Sequence, residues 1–365
     1  MYKRKPIWGS GHKAAMDQYS LGDKLGQGSF GCVYTVIEKK TGRVFAMKRV
    51  LRRDINWTSK SGVGPIPMEV AVMSALDKVK GVVSLHHYFF DEKYVYIVME
   101  KPRGVINLQQ YLHRESVLTE EVAVDVFGQL AKMLYQMQQV RVVHGDLKLQ
   151  NILVNPSTLE VYLIDFGQSY FLSQKRNLTW KAFRGTPDYA PPEMIRTGKM
   201  NLRQAEVWSL GVVLYTLVTG HNPFLNEEEI MLKRLQIPAS VSEDMEQLIL
   251  GLLHKWPRQR YTLRQTVLAS KLMEDALTYH VIYTPTADDA QFKGRGYFKE
   301  LRCKDCWKLA PMFSRASLKK RDAYVTCFYC KATLRNSFFS VPKHRRVCAK
   351  RPTKYSTCKS YCQCI

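Results

Sequence analysis

The chain has 365 residues, 45% of them hydrophobic, enough for one large domain with a substantial core and a smaller unit beside it. No apolar run is long enough for a bilayer span: the nearest, Val207–Val218, is broken by Ser209, Gly211 and Thr216, and Met1–Pro6 lacks the apolar centre of an export signal, so an intracellular protein, cytoplasmic or nuclear, is expected. The net charge of +23 is uneven, with 19 Lys and Arg against 5 Asp and Glu in residues 285–365, so that segment is expected to attract phosphate-bearing or acidic partners.

Residues 1–18 read as a flexible leader. The pattern tightens at Tyr19, and Leu25-Gly26-Gln27-Gly28-Ser29-Phe30-Gly31-Cys32-Val33 spells G-x-G-x-F-G-x-V. Glycines let the backbone approach nucleotide phosphates with no Cβ in the way. A strand, Phe45-Ala46-Met47-Lys48, follows and ends in a lysine placed to reach the α/β-phosphates. Leu25, Gly26, Gly28, Gly31, Val33, Ala46 and Lys48 are the candidate nucleotide contacts of this half. The spacing of Val70, Met73 and Leu76 predicts a helix carrying Glu69 as partner to Lys48. Alternation predicts strands at Val82–Phe90 and Tyr94–Met99, leading to Glu100-Lys101-Pro102. Val122, Val126, Leu130, Met133, Leu134 and Met137 fall at helical spacing within Glu120–Gln139, a core helix with no chemistry of its own.

Then comes His144-Gly145-Asp146-Leu147-Lys148-Leu149-Gln150-Asn151, followed by Asp165-Phe166-Gly167. Asp146 is placed to orient a substrate hydroxyl, Lys148 to neutralise charge on a moving phosphoryl group, and Asn151 and Asp165 to hold Mg²⁺ or Mn²⁺. Such a transfer needs little covalent chemistry, so positioning and charge neutralisation supply most of the rate.

Taken in order, these motifs are similar to those of the protein kinases. The run Val63–Val70, Gly81-Val82-Val83, a proline after Glu100, Pro191-Pro192-Glu193, Val207–Gly211 and Asn222-Pro223-Phe224 resemble the PIM family of serine/threonine kinases over about residues 19–273. The resemblance implies ATP and Mg²⁺ as cofactors and protein substrates. It also implies that Lys148 marks the serine/threonine class, that Thr186 bonds near Asp146 and Lys148, and that Glu193 pairs with Arg260 in a structural contact. If Pro102 occupies the hinge position of its PIM counterpart, one backbone donor is missing there and adenine is held by the Glu100 carbonyl and apolar walls.

Three positions depart from that pattern. Gly145 replaces the arginine that reads a phosphorylated activation loop, so activity independent of Ser169, Ser173 and Thr179 is expected. Leu149-Gln150 and the acid-free stretch Arg103–Gln110 predict a weakened preference for basic substrates. Glu206 stands where many kinases have an aspartate that braces the catalytic loop.

Beyond the kinase pattern, Cys303-x2-Cys306 and Cys327-x2-Cys330 are paired thiolate hooks, followed by His344-x3-Cys348, then Cys358, Cys362 and Cys364. Clustering of this kind, with no export signal, predicts zinc rather than disulfides. Three partitions stay open. Cys327, Cys330, His344 and Cys348 can form one finger, leaving Cys303, Cys306 and two of the last three cysteines for a second ion. The two hooks can make an all-thiolate site, or the ligands can be cross-braced. Lys319-Lys320-Arg321 and Lys343, Arg345, Arg346, Lys350 and Arg351, interleaved with aromatics, suit nucleic acid or an acidic protein partner.

The expectation is an α+β, bilobal kinase fold at residues 19–275, a linker at 276–299 and a zinc-bound basic module at 300–365, acting as a monomer without a membrane partner. The runner-up is a pseudokinase scaffold whose tail does the binding.

Overall fold

A computed structural model describes residues 15–28, 31–60, 64–172, 178–179, 185–282, 324–326 and 333–335. The small lobe is a five-stranded antiparallel sheet in the order β1-β2-β3-β7-β6, built from β1 (Tyr19–Gly28), β2 (Gly31–Glu38), β3 (Val44–Leu51), β6 (Leu85–Phe90) and β7 (Tyr94–Glu100). A short hairpin, β4 (Trp57–Lys60) and β5 (Gly64–Pro67), runs directly into helix α1 (Met68–Ala75).

Strand periodicity divides the sheet into two apolar faces. Ala46, Val95, Ile97 and Met99 turn inward with Val70 and Met73 of α1 and join the main core. Their neighbours Phe45, Met47, Tyr96 and Val98 turn outward and cluster with Phe89, Tyr19 and Val36. Ala15, fully buried, packs on that outer cluster, within the stretch expected as a leader; residues 1–14 are outside the described residues. The strand expected from Val82 starts at Leu85 instead, because the chain turns at Gly81 (φ +89°) and bonds Val83 N–H to the Leu163 carbonyl.

The large lobe is helical: α2 (Leu108–Glu115), α3 (Glu120–Gln139), α4 (Pro192–Thr197), α5 (Leu202–Thr219), α6 (Glu227–Leu232), α7 (Glu243–Leu252) and α8 (Leu263–Ile282). Helix α3 starts where Thr119 Oγ1 accepts the Val122 N–H, with Glu120 and Glu121 in its first turn complementing the helix dipole. Its predicted stripe is buried apart from half-buried Val122, and Val124, Phe127 and Ala131 are buried too, because α5 and α8 cover additional faces. Helix α5 is buried almost all round, from Leu202 to Val218, as its interrupted apolar run predicted. Helix α8 continues to Ile282, past the boundary expected at residue 275.

Short strands carry the site between the lobes. They are β8 (Ile106–Asn107), β9 (Val142–Val143), β10 (Ile152–Val154), β11 (Val161–Leu163), β12 (Tyr170–Phe171), β13 (Leu178–Thr179) and β14 (Lys199–Met200). Pairs β10–β11, β12–β9 and β13–β14 fasten the catalytic loop and the segment after Asp165 to the large lobe. Farther on, β15 (Tyr324–Thr326) and β16 (Thr333–Arg335) form a hairpin. Cys303, Cys306, Cys327, Cys330, His344, Cys348, Cys358, Cys362 and Cys364 lie outside the described residues.

Candidate active site

Lys48 lies within β3, which runs on to Leu51 rather than ending at the lysine because Arg49–Leu51 keep pairing with β7, and its side chain reaches α1. Its Nζ donates to Glu69 Oε1 at 2.8 Å and Oε2 at 2.9 Å, and to Asp165 Oδ1 at 2.7 Å. Burial alone would depress the lysine pKa; the two carboxylates outweigh it and hold the ammonium above its ordinary range. Glu69 moves up because burial dominates, whereas the Lys48 charge and hydrogen bond overcome burial at Asp165 and move it down. The expected pairing of Lys48 with Glu69 is therefore present, and Asp165 completes it.

Asp165 adopts a left-handed backbone (φ 63°, ψ 77°), closed by its Oδ1 accepting the Gly167 N–H. Aspartate tolerates that region through such local bonds. The conformation turns its side chain back toward Lys48.

The catalytic loop is a second convergent cluster. Asp146 Oδ1 accepts from Thr186 N at 2.9 Å and Thr186 Oγ1 at 2.8 Å. Its Oδ2 meets Lys148 Nζ at 2.7 Å and Asn151 Nδ2 at 3.1 Å. Lys148 also donates to Thr186 Oγ1 at 2.9 Å, and Asn151 Nδ2 to the Asp146 carbonyl at 2.8 Å. The spacing from Asp146 to Asn151 closes as a turn ending in a short 3-10 segment at Leu149–Asn151.

This loop rests on two buried groups. His144 Nε2 bonds the Ile164 carbonyl at 3.0 Å and its Nδ1 takes the Asp146 N–H at 3.3 Å, which fixes the Nε2–H tautomer. Burial lowers the His144 pKa and favours that neutral ring. Glu206 Oε1 accepts the His144 N–H at 2.7 Å, so the longer side chain still braces the loop, and burial pushes its pKa up to about 8. The His144 contribution was missed in the sequence, where only its place beside Asp146 hinted at it.

Gly145 has φ +81°, and a Cβ there would run into the Gln168 carbonyl and come within 2.9 Å of the Tyr170 ring. The position has no room for a side chain in this arrangement. Ser169, one of the hydroxyls on which activity is expected not to depend, is buried and donates to the His144 carbonyl at 3.0 Å. Glu193 and Arg260 make the expected structural pair through two bonds of 2.9 and 2.8 Å, with Arg260 also donating to the His254 and Gln204 carbonyls.

The glycine-rich strands pair Gly26 with Val33 and Gly28 with Gly31. Gly31 (φ +151°) is obligatory, since a Cβ would collide with the Arg49 carbonyl of β3. Leu25 is exposed, Val33 half-buried and Ala46 buried. Glu100 closes β7, its N–H bonded to the Ser84 carbonyl at 2.9 Å and its carboxylate accepting the Ser84 N–H at 3.2 Å; Pro102 follows with no N–H to offer.

Asp165 Oδ2 and Asn151 Oδ1 take no part in the bonds above. Two hard oxygens fit Mg²⁺, which keeps waters and substrate phosphates as its other ligands. No cluster of three His, Cys, Asp or Glu suited to a metal occurs among the described residues.

The family model of the protein kinase domain matches residues 19–273. The chain belongs to the protein kinase family. It is 32% identical to serine/threonine-protein kinase prk-2 of Caenorhabditis elegans over 281 residues, 74% of this chain and 63% of that protein, and so spans less than two thirds of it. Identity is 34% over 270 residues to the Aurora kinase of Schizosaccharomyces pombe, 72% of this chain and of that protein. Against serine/threonine-protein kinase pim-2 of Danio rerio it is 31% over 271 residues, 71% of this chain and 86% of that protein. The relatives are serine/threonine kinases of more than one kind, and identity alone does not single out PIM. The domain implies ATP and Mg²⁺. No helix among the described residues is long and apolar enough to cross a membrane.

Proposed function

We propose that the kinase transfers the γ-phosphoryl group of ATP to serine or threonine hydroxyls of protein substrates. The observation that carries this is a pair of hydrogen-bonded clusters, Lys48 with Glu69 and Asp165, and Asp146 with Lys148, Asn151 and Thr186, tied together through Ile164, which precedes Asp165 and bonds the Asn151 carbonyl and the His144 ring. Lys48, held by Glu69, orients the α/β-phosphates. Asp146 accepts a hydrogen bond from the substrate hydroxyl and aims its oxygen at the phosphorus. Lys148 lies close enough to Asp146 to spread its charge over the transferred group as the bond to the leaving oxygen breaks. Mg²⁺, held by Asp165 and Asn151, supplies charge neutralisation on the phosphates. The scaffold reading is not favoured, because no member of this set is missing. Labelled-phosphate transfer by wild type and by Asp165→Asn tests the reading: loss of signal in the variant supports it, and equal signals would assign the activity to a contaminant.

Two finer readings follow, the first from the PIM resemblance and the second from Gly145. The hinge offers adenine the Glu100 carbonyl but no donor at Pro102. Activity does not depend on activation-segment phosphorylation: Gly145 replaces the phosphate-reading arginine, and β12–β9 and β13–β14 pairing and the Thr186–Asp146 bonds fasten the segment at three places.

For the tail, we propose zinc. The strands β15 and β16 pair with Thr326 opposite Thr333, so the connection at 327–332 contains the hook Cys327-x2-Cys330. The C-x2-C spacing of that hook suits a structural zinc ion, to which it would supply two thiolates. Metal analysis of the purified full chain, with Cys327→Ser and Cys330→Ser as controls, tests it; a metal-free wild type would refute it.

A further inference from the structure

On the large lobe lies a cleft of about 940 Å³. Helix α4, β14, the start of α5 and the loop at 254–262 enclose it, and the volume falls in the range of ligand sites. None of its lining residues belongs to the catalytic cluster. Its floor is closed by the Glu193–Arg260 pair, so the carboxylate there is already neutralised.

The remaining lining has a definite chemistry. Trp256 forms a wall and is 57% exposed, with the Arg196 guanidinium 4.6 Å above its ring. Lys199 and Arg258 are exposed at the rim, and among the described residues no carboxylate pairs with Lys199, Arg258 or Arg196. A ligand satisfying this surface must bring negative charge and an apolar group to lie on the indole. A segment of a protein substrate supplies both when acidic side chains flank a hydrophobic one.

We propose that this cleft is a docking site for an acidic peptide segment, carrying one aromatic or aliphatic anchor, in the kinase's protein substrates. The proposal rests on the reading of the chain as a protein-substrate kinase. The chain path supports the placement. Thr186 touches Asp146, and Glu193 at the cleft is seven residues later, so about 25 Å of extended chain is the greatest separation between them. One substrate can therefore engage both places, and docking raises its effective concentration at Asp146.

The test separates docking from catalysis. Binding to the full chain is measured without ATP by fluorescence anisotropy of a fluorescein-labelled peptide of glutamates, aspartates and one phenylalanine. A lysine-for-acid counterpart serves as control and poly-uridine RNA as competitor. Wild type should bind the acidic peptide in a salt-sensitive way and ignore the lysine peptide, and RNA should not displace it. Trp256→Ala, and independently Arg258→Glu or Lys199→Glu, should each weaken binding about tenfold or more. Fusing the acidic segment to an acceptor peptide should lower KM with kcat unchanged in wild type but not in the variants, while all of them phosphorylate the unfused acceptor alike. Unchanged peptide affinity in both the tryptophan and charge variants, or displacement by RNA, would overturn the docking site. Binding that persists in a preparation with no phosphotransfer would leave the docking site standing and overturn the enzyme reading instead.

Discussion

Replacing Glu206 by glutamine is expected to stabilise the kinase, and to do so more at alkaline than at acidic pH. Glu206 is buried, with one oxygen on the His144 N–H at 2.7 Å and the other 3.4 Å from Gln138 Nε2. No cation joins these bonds to offset the charge, and burial moves its pKa from an ordinary 4.5 up to about 8. The folded protein thus keeps a proton that the unfolded chain releases near pH 4.5. Stability from this group is intact below that pH and is lost as pH rises through about 8. At roughly 1.4 kcal/mol per pH unit, the full loss is of order 3–5 kcal/mol, about 2–3 of it between pH 6 and 8.5. Glutamine keeps an acceptor for His144 and never ionises. Urea unfolding of wild type and Glu206→Gln at pH 6 and 8.5 measures the effect: the variant's advantage should widen by about 2–3 kcal/mol across that interval. Parallel pH profiles would refute the argument. Glu206→Ala, by contrast, strands the His144 N–H at about 1–3 kcal/mol and should lower kcat.

Gly145→Arg should not install phosphate control but destabilise the catalytic loop by roughly 1–3 kcal/mol or more, since the residue has φ +81° and its Cβ would meet the Gln168 carbonyl; thermal unfolding checks this, and a fully stable variant would contradict it. Glu193→Ala should cost about 3–5 kcal/mol by leaving Arg260 buried without its partner, so circular dichroism should report unfolding along with the loss of activity. Ser173→Ala and Thr179→Ala should keep activity within about tenfold of wild type, equivalent to roughly 1.4 kcal/mol of barrier, in a peptide kinase assay. A peptide array should show no dominant arginine preference, because Leu149 is buried, Gln150 is uncharged and Arg103–Gln110 contains no acid.

What could be read from the chain was what local pattern dictates. The bounds of α3 follow from a capped apolar stripe at helical period, and the observed Glu120–Gln139 coincides with the expected helix. The proximity of Asp146, Lys148 and Asn151 was legible because they lie within one turn, and that of Lys48 and Glu69 because strand and helix follow each other in order. Features made by distant contacts were hidden. Nothing near Ser169 announces that its hydroxyl faces the His144 carbonyl, and nothing near Gly145 that Tyr170 crowds it. The Trp256 cleft draws on residues as far apart in the chain as Glu193 and Gln265, and no single stretch encodes it. Ala15 is silent in sequence too; only the outward face of β3 and β7 gives it a place to pack.

Lys48 is carried by the small lobe and Asp165 by the large one, so their 2.7 Å contact straps the two halves together. Any twist that opens the cleft must pull a buried ammonium from a carboxylate whose side chain is 35% exposed. Breathing of the lobes is thereby tied to electrostatics, and added salt, which reaches the exposed side of Asp165, should loosen it in part. Neutralising the strap with Lys48→Met would free the hinge as well as abolish phosphate contact, so such a variant would mix a change in motion with a change in chemistry.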